Sequence, residues 1–498
     1  MGESRVLLLN LPSPPGLDVD RDSAGGYGLA RRVRRAKYGH SLEVLLPLFM
    51  LYLAAQIKKD GYPLKVLDGQ AERMNQASVL EAVGAVRPQY LICMISLPSV
   101  YGDMFLLNAI KRNFSDVCVI VIGVVVRFLG EEILSNSGTD FLMDGRYPFY
   151  SGAIIQLIQT LNTGAVDCLK EVPGLIYREH RKEGHSVHHN PYERGAGGES
   201  LDAFDPETYL MFPIEKYKLH FFGPNGMSAR CIPIIASIGC SFQCKYCPYP
   251  IGFGKKVRYK SPVRVVNEME FLNRHFGLRA FILRDQVSTV SERQVQKICE
   301  LIISRKLDIS LVFETRADLV SRDMIRKLKQ AGCFRINVGV ETGDQQLLRD
   351  VGKPGLDKEM VRSAFCIAAQ EGIYRSAHVL LGLPGENWNT LMNTKDFLLE
   401  LDPDGVNWNF ALPYPGTWLY EIAKQRGWIL TTDWGHYVTG RVVMRTEELS
   451  EKELVKAGRE LSRAFRAHQI LRELKKGMSG FKLLTRGAIR ELWLRWVT

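Results

Sequence analysis

Two long stretches of this 498-residue chain alternate short apolar, β-branched runs with helix-length amphipathic segments, and no other feature restricts its folding as much. Such alternation leads to parallel sheets flanked by helices, because a parallel neighbour is reached only by a crossover long enough to hold a helix. In residues 1–165 the candidate strands are Val6–Asn10, Leu64–Leu67, Tyr90–Ile95, Val117–Ile122 and Phe141–Met143. Helical segments lie near Leu46–Lys59, Ser78–Val86, Val100–Phe114, Leu129–Ser135 and Tyr150–Leu161. This predicts an α/β domain with a doubly wound parallel sheet (Rossmann/flavodoxin-like), which binds ligands at the carboxyl ends of its strands. The interval Ser13–His40 interrupts the pattern. It is rich in Gly, Pro and Arg, including Arg31, Arg32, Arg34 and Arg35, and its length points to a functional or mobile loop.

The second stretch has candidate strands at Ile232–Ile238, Phe281–Arg284, Ser310–Arg316, Arg335–Glu341, Tyr374–Leu381 and Gly405–Leu412. Helical segments fall between them at Val263–His275, Glu292–Arg305, Ser321–Ala331, Lys358–Glu371 and Thr390–Glu400. Six such units predict a partial (β/α)6 barrel over residues 226–428, with its chemistry at the C-terminal strand ends. Residues 166–225 read as a connector: a short strand near Glu171–Arg178, a turn into another at Gly184–Asn190, and a flexible linker at Arg194–Ser200. His180, His185, His188 and His189 lie in this hairpin-like stretch, either as exposed polar residues or as a metal site. Residues 429–498 form a basic helical region. It holds a Lys- and Arg-rich helix over Glu448–Glu473 and a Trp-bearing segment, Phe481–Val497, with an apolar face.

Just past the first barrel strand stands Gly239-Cys240-Ser241-Phe242-Gln243-Cys244-Lys245-Tyr246-Cys247-Pro248. Three thiolates at C-x3-C-x2-C spacing can hold three irons of a cubane [4Fe–4S] cluster, leaving the fourth iron open to a small chelating ligand. Structural sites are usually closed, whereas an open position is where a metal site does chemistry. A zinc knuckle short of its fourth ligand is the alternative. Ten scattered cysteines suit a reducing compartment and metal use better than a disulfide framework. The N-terminus lacks a secretory pattern and the apolar runs are too short to span a bilayer, so the expected location is the cytoplasm. The net charge is +11, and residues 451–498 carry twelve Lys and Arg against five Glu, a net of +7. A basic end of that kind serves a solvated helix face, nucleic acid or an anionic membrane surface.

Further motifs close the other strands in order. Arg284-Asp285 ends the second, Glu314-Thr315-Arg316 the third, and Gly339-Val340-Glu341-Thr342-Gly343 the fourth. Leu381-Gly382-Leu383-Pro384-Gly385-Glu386 ends the fifth, and Pro413-Tyr414-Pro415-Gly416-Thr417 follows the sixth. With the cysteine loop, and Tyr246 before its third cysteine, the chain resembles the radical S-adenosylmethionine (SAM) superfamily over most of its length. Within it, the closer resemblance is to the group with an N-terminal cobalamin (B12)-binding-type domain. The resemblance implies Cys240, Cys244 and Cys247 as ligands of a [4Fe–4S] cluster that SAM chelates through its amine and carboxylate. It implies Tyr246, Arg284, Asp285, Glu314, Arg316, Gly339, Glu341, Gly382 and Gly385 as the cofactor-binding set. In that set Asp285 or Glu341 would accept from the SAM amine or ribose, Arg316 would pair with the SAM carboxylate as a planar fork, and Gly339, Gly382 and Gly385 would let backbone approach the nucleoside.

The reaction so implied is reductive cleavage of SAM, followed by cobalamin-dependent methyl transfer to an unactivated carbon of a small-molecule or lipid-like biosynthetic intermediate. Flavodoxin or ferredoxin would supply the electron, and the basic tail suggests peripheral membrane contact. Cyclisation, ring rearrangement or oxidation without methyl transfer is the alternative, with tRNA modification behind it. No nucleic acid partner is expected, because the tail lacks the texture of an oligonucleotide-binding barrel. The first domain departs from its group. It lacks the D-x-H-x-x-G pattern, has only His40 before residue 150, and carries Ile122-Gly123-Val124-Val125 and Gly145-Arg146-Tyr147-Pro148 where relatives often show Gly-Gly-Pro-His and Gly-Glu-x-Glu. Either a corrin is held differently there, or the domain is a scaffold.

Overall fold

A computed structural model describes residues 5–33, 43–144, 150–181, 184–191, 200–353 and 355–475. Arg34, Arg35, His40, the Gly145–Pro148 motif, most of the predicted linker and the Phe481–Val497 segment lie outside the described residues. The chain divides into two compact units. One comprises residues 1–30, 44–217 and 248–255, the other residues 31–43, 218–247 and 256–498.

The first unit is built on a seven-stranded sheet of β1 (Val6–Asn10), β2 (Leu64–Asp68), β3 (Tyr90–Met94), β4 (Cys118–Ile122), β5 (Phe141–Met143), β6 (Leu175–Arg181) and β7 (Gly184–His189), in the order β2-β1-β3-β4-β5-β6-β7. The first five strands are parallel; β6 and β7 add antiparallel. Every residue of β1 and β3 is buried, as expected of parallel strands covered on both faces. Strand–helix alternation made the five parallel strands legible. The hairpin was only partly so, since β6 and β7 extend this sheet rather than bridging two domains.

Helices α1 (Leu48–Lys59), α2 (Gln76–Val86), α3 (Val100–Asn113), α4 (Val126–Asn136) and α5 (Tyr150–Thr163) connect the strands. Pro47 offers no cap to α1, so Asp22 supplies one from the preceding loop, accepting from Leu48 N at 2.7 Å and Phe49 N at 3.2 Å. Arg21 is buried beside it. It donates to Leu11 O at 2.8 Å and Asp103 Oδ1 at 2.6 Å, while Ser99 Oγ donates to the other Asp103 oxygen at 2.6 Å. The Ser13–His40 interval is therefore partly built into this unit by buried polar contacts, as far as it is described.

The second unit carries another seven-stranded sheet: β8 (Leu219–Phe222), β9 (Ser228–Ile234), β12 (Ala280–Leu283), β13 (Ser310–Thr315), β14 (Cys333–Glu341), β15 (Tyr374–Leu381) and β16 (Gly405–Phe410), in that order. Strand β8 is antiparallel to β9, and the remaining six are parallel, a half-barrel. Between β9 and β12 a small antiparallel pair, β10 (Ser237–Ile238) with β11 (Arg258–Tyr259), frames the cysteine loop. The predicted first strand thus ends early, and its last two residues belong to this pair.

Helices α6 (Pro262–Phe276), α7 (Glu292–Ser304), α8 (Arg322–Gln330), α9 (Gln345–Asp350), α10 (Lys358–Gln370), α11 (Trp388–Leu401), α12 (Trp418–Gln425) and α13 (Glu451–Lys475) complete the unit. Their starts follow the sequence: Ser291, Ser321, Asp344, Asp357 and Thr417 each accept from a backbone N–H of the first turn, and Asn387 forms a capping box with Thr390. Helix α13 buries Leu454, Ala457, Leu461 and Phe465. It is tied to the end of α11 by His468 and Arg472, which meet Asp402 Oδ1 at 2.9 and 2.8 Å. Part of the C-terminal basic charge is thereby spent inside the unit. No helix among the described residues is long and apolar enough to cross a membrane.

Candidate active site

The cysteine loop leaves the sheet at a glycine where any side chain would be strained. Gly239 has φ +101, and a Cβ on it would lie 2.3 Å from the carbonyl oxygen of Lys256. Its N–H donates to Gln286 Oε1 at 2.7 Å. Inside the loop, Cys247 N donates to Cys244 O at 3.1 Å, making a tight turn between the second and third cysteines. The outer edge is stitched to the half-barrel: Lys245 N donates to Val351 O at 2.9 Å and Leu419 N to Lys245 O at 3.1 Å. Lys245 Nζ also stands 4.8 Å from the centre of the Trp418 ring.

Cys240 is buried, and Cys244 and Cys247 are half-buried. Burial pushes the Cys240 and Cys244 thiols up, while the Arg316 and Lys353 cations pull both down. Among the described residues no three His, Cys, Asp or Glu side chains converge as ligands of one ion would. A cubane asks for something different, since each thiolate binds a separate iron at a separate corner. Three thiols on one short loop, two cations within electrostatic reach and no fourth thiol in the loop fit such a cluster.

The surrounding strand ends carry the predicted residues, several of them engaged otherwise than the sequence suggests. Asp285 is buried with both oxygens occupied: Oδ1 accepts from Ala236 N at 2.8 Å and Oδ2 from Ser237 Oγ at 2.7 Å. Burial, only partly offset by these bonds, pushes its pKa up to about 6. Arg284 and Glu314 face each other at 3.7 Å. Arg316 is buried, and its fork closes on Asp318, with Nε to Oδ1 at 3.0 Å and an amino nitrogen to Oδ2 at 2.8 Å. Its remaining nitrogen points to Cys244 Sγ at 3.8 Å, and its guanidinium lies 3.9 Å from the centre of the Phe242 ring. Burial works against the Arg316 charge, but the Asp318 carboxylate together with the nearby Cys244 and Tyr246 outweighs it and the pKa is raised. The fork expected for a SAM carboxylate is thus closed on Asp318, and the remaining nitrogen faces the Cys244 sulfur.

Glu341 ends β14 at φ +62, where the register shifts between Gly339 and Glu341. A non-glycine residue in that region is strained, and such strain gathers at functional sites. The carboxylate accepts from Lys353 Nζ at 2.7 Å, and Lys353 also donates to Gly339 O at 3.1 Å. Burial, with the Glu341 carboxylate and the nearby thiols, pushes the Tyr246 phenol well up. Gly339 leaves room for this pair: a Cβ on it would meet Glu341 Oε1 at 2.7 Å and Lys353 Nζ at 3.0 Å. Gly382 and Gly385 have φ +84 and +86 and form the turn after β15, with Gly382 N donating to Glu386 Oε2.

Sequence reasoning passed over Asp318, Gln286, Phe242 and Lys353. The first three lie within a few residues of named motifs. Lys353 sits in Gly352-Lys353-Pro354-Gly355, a turn signal right after α9 that marked a tight loop but not a buried cation. Pairing across β13–β16 also lays out polar rows: Glu314, Asn337, Ser376 and Gly405 in one, Gly339, His378 and Asn407 in the next. Leu381 and Phe410 lie on the opposite face, against Gly458 of α13, so these rows occupy the face turned away from that helix.

Residues 234–398 match the model of the radical SAM superfamily, a span running from the end of β9 through most of α11. These residues form a radical SAM domain, which makes the chain an enzyme and implies a [4Fe–4S] cluster and SAM as its cofactors. Over 412 residues it is 26% identical to an uncharacterised methyltransferase of Pyrococcus horikoshii, covering 82% of this chain and 85% of that protein. It is 24% identical over 415 residues to the anaerobic magnesium-protoporphyrin IX monomethyl ester cyclase of Rubrivivax gelatinosus, covering 82% of this chain and 71% of the cyclase. Among solved structures it shares the fold of the radical SAM methyltransferase TsrM of Kitasatospora setae, determined with cobalamin and a [4Fe–4S] cluster bound. The TM-score is 0.64 at 19% identity, over 86% of this chain and 76% of TsrM.

Proposed function

We propose that this chain is a cobalamin-dependent radical SAM methyltransferase acting on an unactivated carbon of a small-molecule biosynthetic intermediate. The observation that carries the reading is the C-x3-C-x2-C loop framed by β10 and β11 at the C-terminal end of the first parallel strand, where such a barrel concentrates its chemistry. When bound, the cluster supplies one electron to SAM and cobalamin supplies a methyl carrier. Cys240, Cys244 and Cys247 hold the three irons. Arg316, fixed by Asp318 and Phe242, backs the Cys244 sulfur, and Asp285 fixes the strand that enters the loop. Glu341, Gly382 and Gly385 present the ends of β14 and β15 to the nucleoside. The His378–Asn407 row favours a substrate with hydrogen-bonding groups over a plain hydrocarbon.

For cobalamin the support is the first unit's sheet order, which places a switch point between β1 and β3, the place where such sheets bind ligands. The carboxyl ends there carry Asn10, Ile95 and, after β4, Gly123, none of them a histidine, and these strand ends would hold a corrin. The electron donor in this reading is a flavodoxin or ferredoxin. The basic C-terminal region gives peripheral contact with an anionic membrane. The cyclase relative supports a second reading, radical cyclisation or oxidation without methyl transfer.

Anaerobic reconstitution followed by cobalt analysis and turnover of candidate substrates with methyl-deuterated SAM separates them. Methyl transfer predicts cobalt in the protein and label in the product. Label-free product from a cobalt-free enzyme overturns it in favour of the second reading.

A further inference from the structure

A buried cation and a half-buried anion stand beside the cysteine loop. Lys353 and Glu341 are paired at 2.7 Å with side chains 4% and 13% exposed. The pair is fixed in place. Gly339 leaves it room, its carbonyl takes a second Lys353 hydrogen bond, and Glu341 is locked by a positive φ at a bulge. The turn bearing Lys353 is itself joined to the loop. Lys245 N donates to Val351 O at 2.9 Å, and Gly352, at φ +86, packs so closely that a Cβ would lie 2.8 Å from Gln243 O.

We infer that Lys353 and Glu341 are positioning residues that set the cluster's electron affinity as a balanced pair, Lys353 favouring the reduced cluster and Glu341 opposing it. This rests on the cluster site proposed above. Adding an electron makes the cluster more negative, so a fixed cation in a poorly hydrated site eases reduction and a fixed anion hinders it. Because the two charges are paired, removing either exposes the other's full effect. A purely structural pair would loosen the loop in the same way whichever partner was lost.

The test is the midpoint potential of the reconstituted cluster, titrated anaerobically against a one-electron chemical reductant and read by electron paramagnetic resonance. Wild type, Lys353→Gln and Glu341→Gln are compared at equal iron content. The wild-type iron content tests the cluster site, so its failure is separate from failure of the inference. The expected result is opposite shifts: a more negative potential for Lys353→Gln, a more positive one for Glu341→Gln. Unchanged potentials, or shifts of the same sign, overturn the inference. Should Lys353→Gln fail to hold iron, Glu341→Gln decides alone: an upward shift supports it, and no shift or a downward one refutes it.

Discussion

Glu386, the last residue of the turn after β15, gives a sharp test of how this barrel rim is held. It is fully buried, Oε2 accepts from Gly382 N, and Oε1 has no hydrogen-bond partner. Burial without a cation pushes its pKa from 4.5 to about 8. A carboxyl raised in the folded state binds its proton more tightly there than in the unfolded chain. Its stabilising effect is therefore complete below the unfolded value and lost as pH rises through the folded one. At roughly 1.4 kcal/mol per pKa unit, the span from 4.5 to about 8 sets an upper limit of about 5 kcal/mol on the stability lost between those pH values. Glu386→Gln cannot titrate, but leaves amide hydrogens unpaired at about 1–3 kcal/mol. The variant is expected to be less stable than wild type at pH 5 and to regain or pass it by pH 9. Denaturant midpoints followed across that range by tryptophan fluorescence provide the assay. A variant that keeps the wild-type pH slope refutes the assignment of that slope to Glu386.

Other expectations follow from the same geometry. Gly239→Ala forces a side chain into the left-handed region at a cost of about 1–3 kcal/mol and against the Lys256 carbonyl, so reconstituted iron should fall below half of wild type with the far-ultraviolet circular dichroism retained. Arg472→Ala removes the tie from α13 to Asp402, and because Asp402 is 40% exposed the loss should be only about 1 kcal/mol by thermal or chemical unfolding. Deleting residues 481–498 should reduce partition to anionic vesicles, and unchanged partition would end the membrane reading of the tail.

Much of this was legible because the signals were local. Buried parallel strands are apolar runs, helix starts carry their caps, and the spacing of Cys240, Cys244 and Cys247 marks the loop where a cluster is proposed. What was not legible depended on which partner wins when several are near. Arg316 offers a planar fork, and only the fold reveals that Asp318, two residues on, has taken it. Asp285 carries a carboxylate that the sequence cannot assign either to a ligand or to the backbone of Ala236 and Ser237. Glu341 reads as an ordinary strand-end acid until its positive φ and its bond to Lys353 are seen. The β6–β7 hairpin had strand character in the sequence, but nothing in its composition says which sheet it joins.

Iron and sulfide analysis after anaerobic reconstitution, with wild type beside a Cys240→Ala, Cys244→Ala, Cys247→Ala triple variant, tests the central claim most directly. About four irons and four sulfides per wild-type chain are expected, with an axial or rhombic signal on reduction that changes when SAM is added, and none of these in the variant. Iron retained by the variant, or a wild-type signal indifferent to SAM, would contradict it.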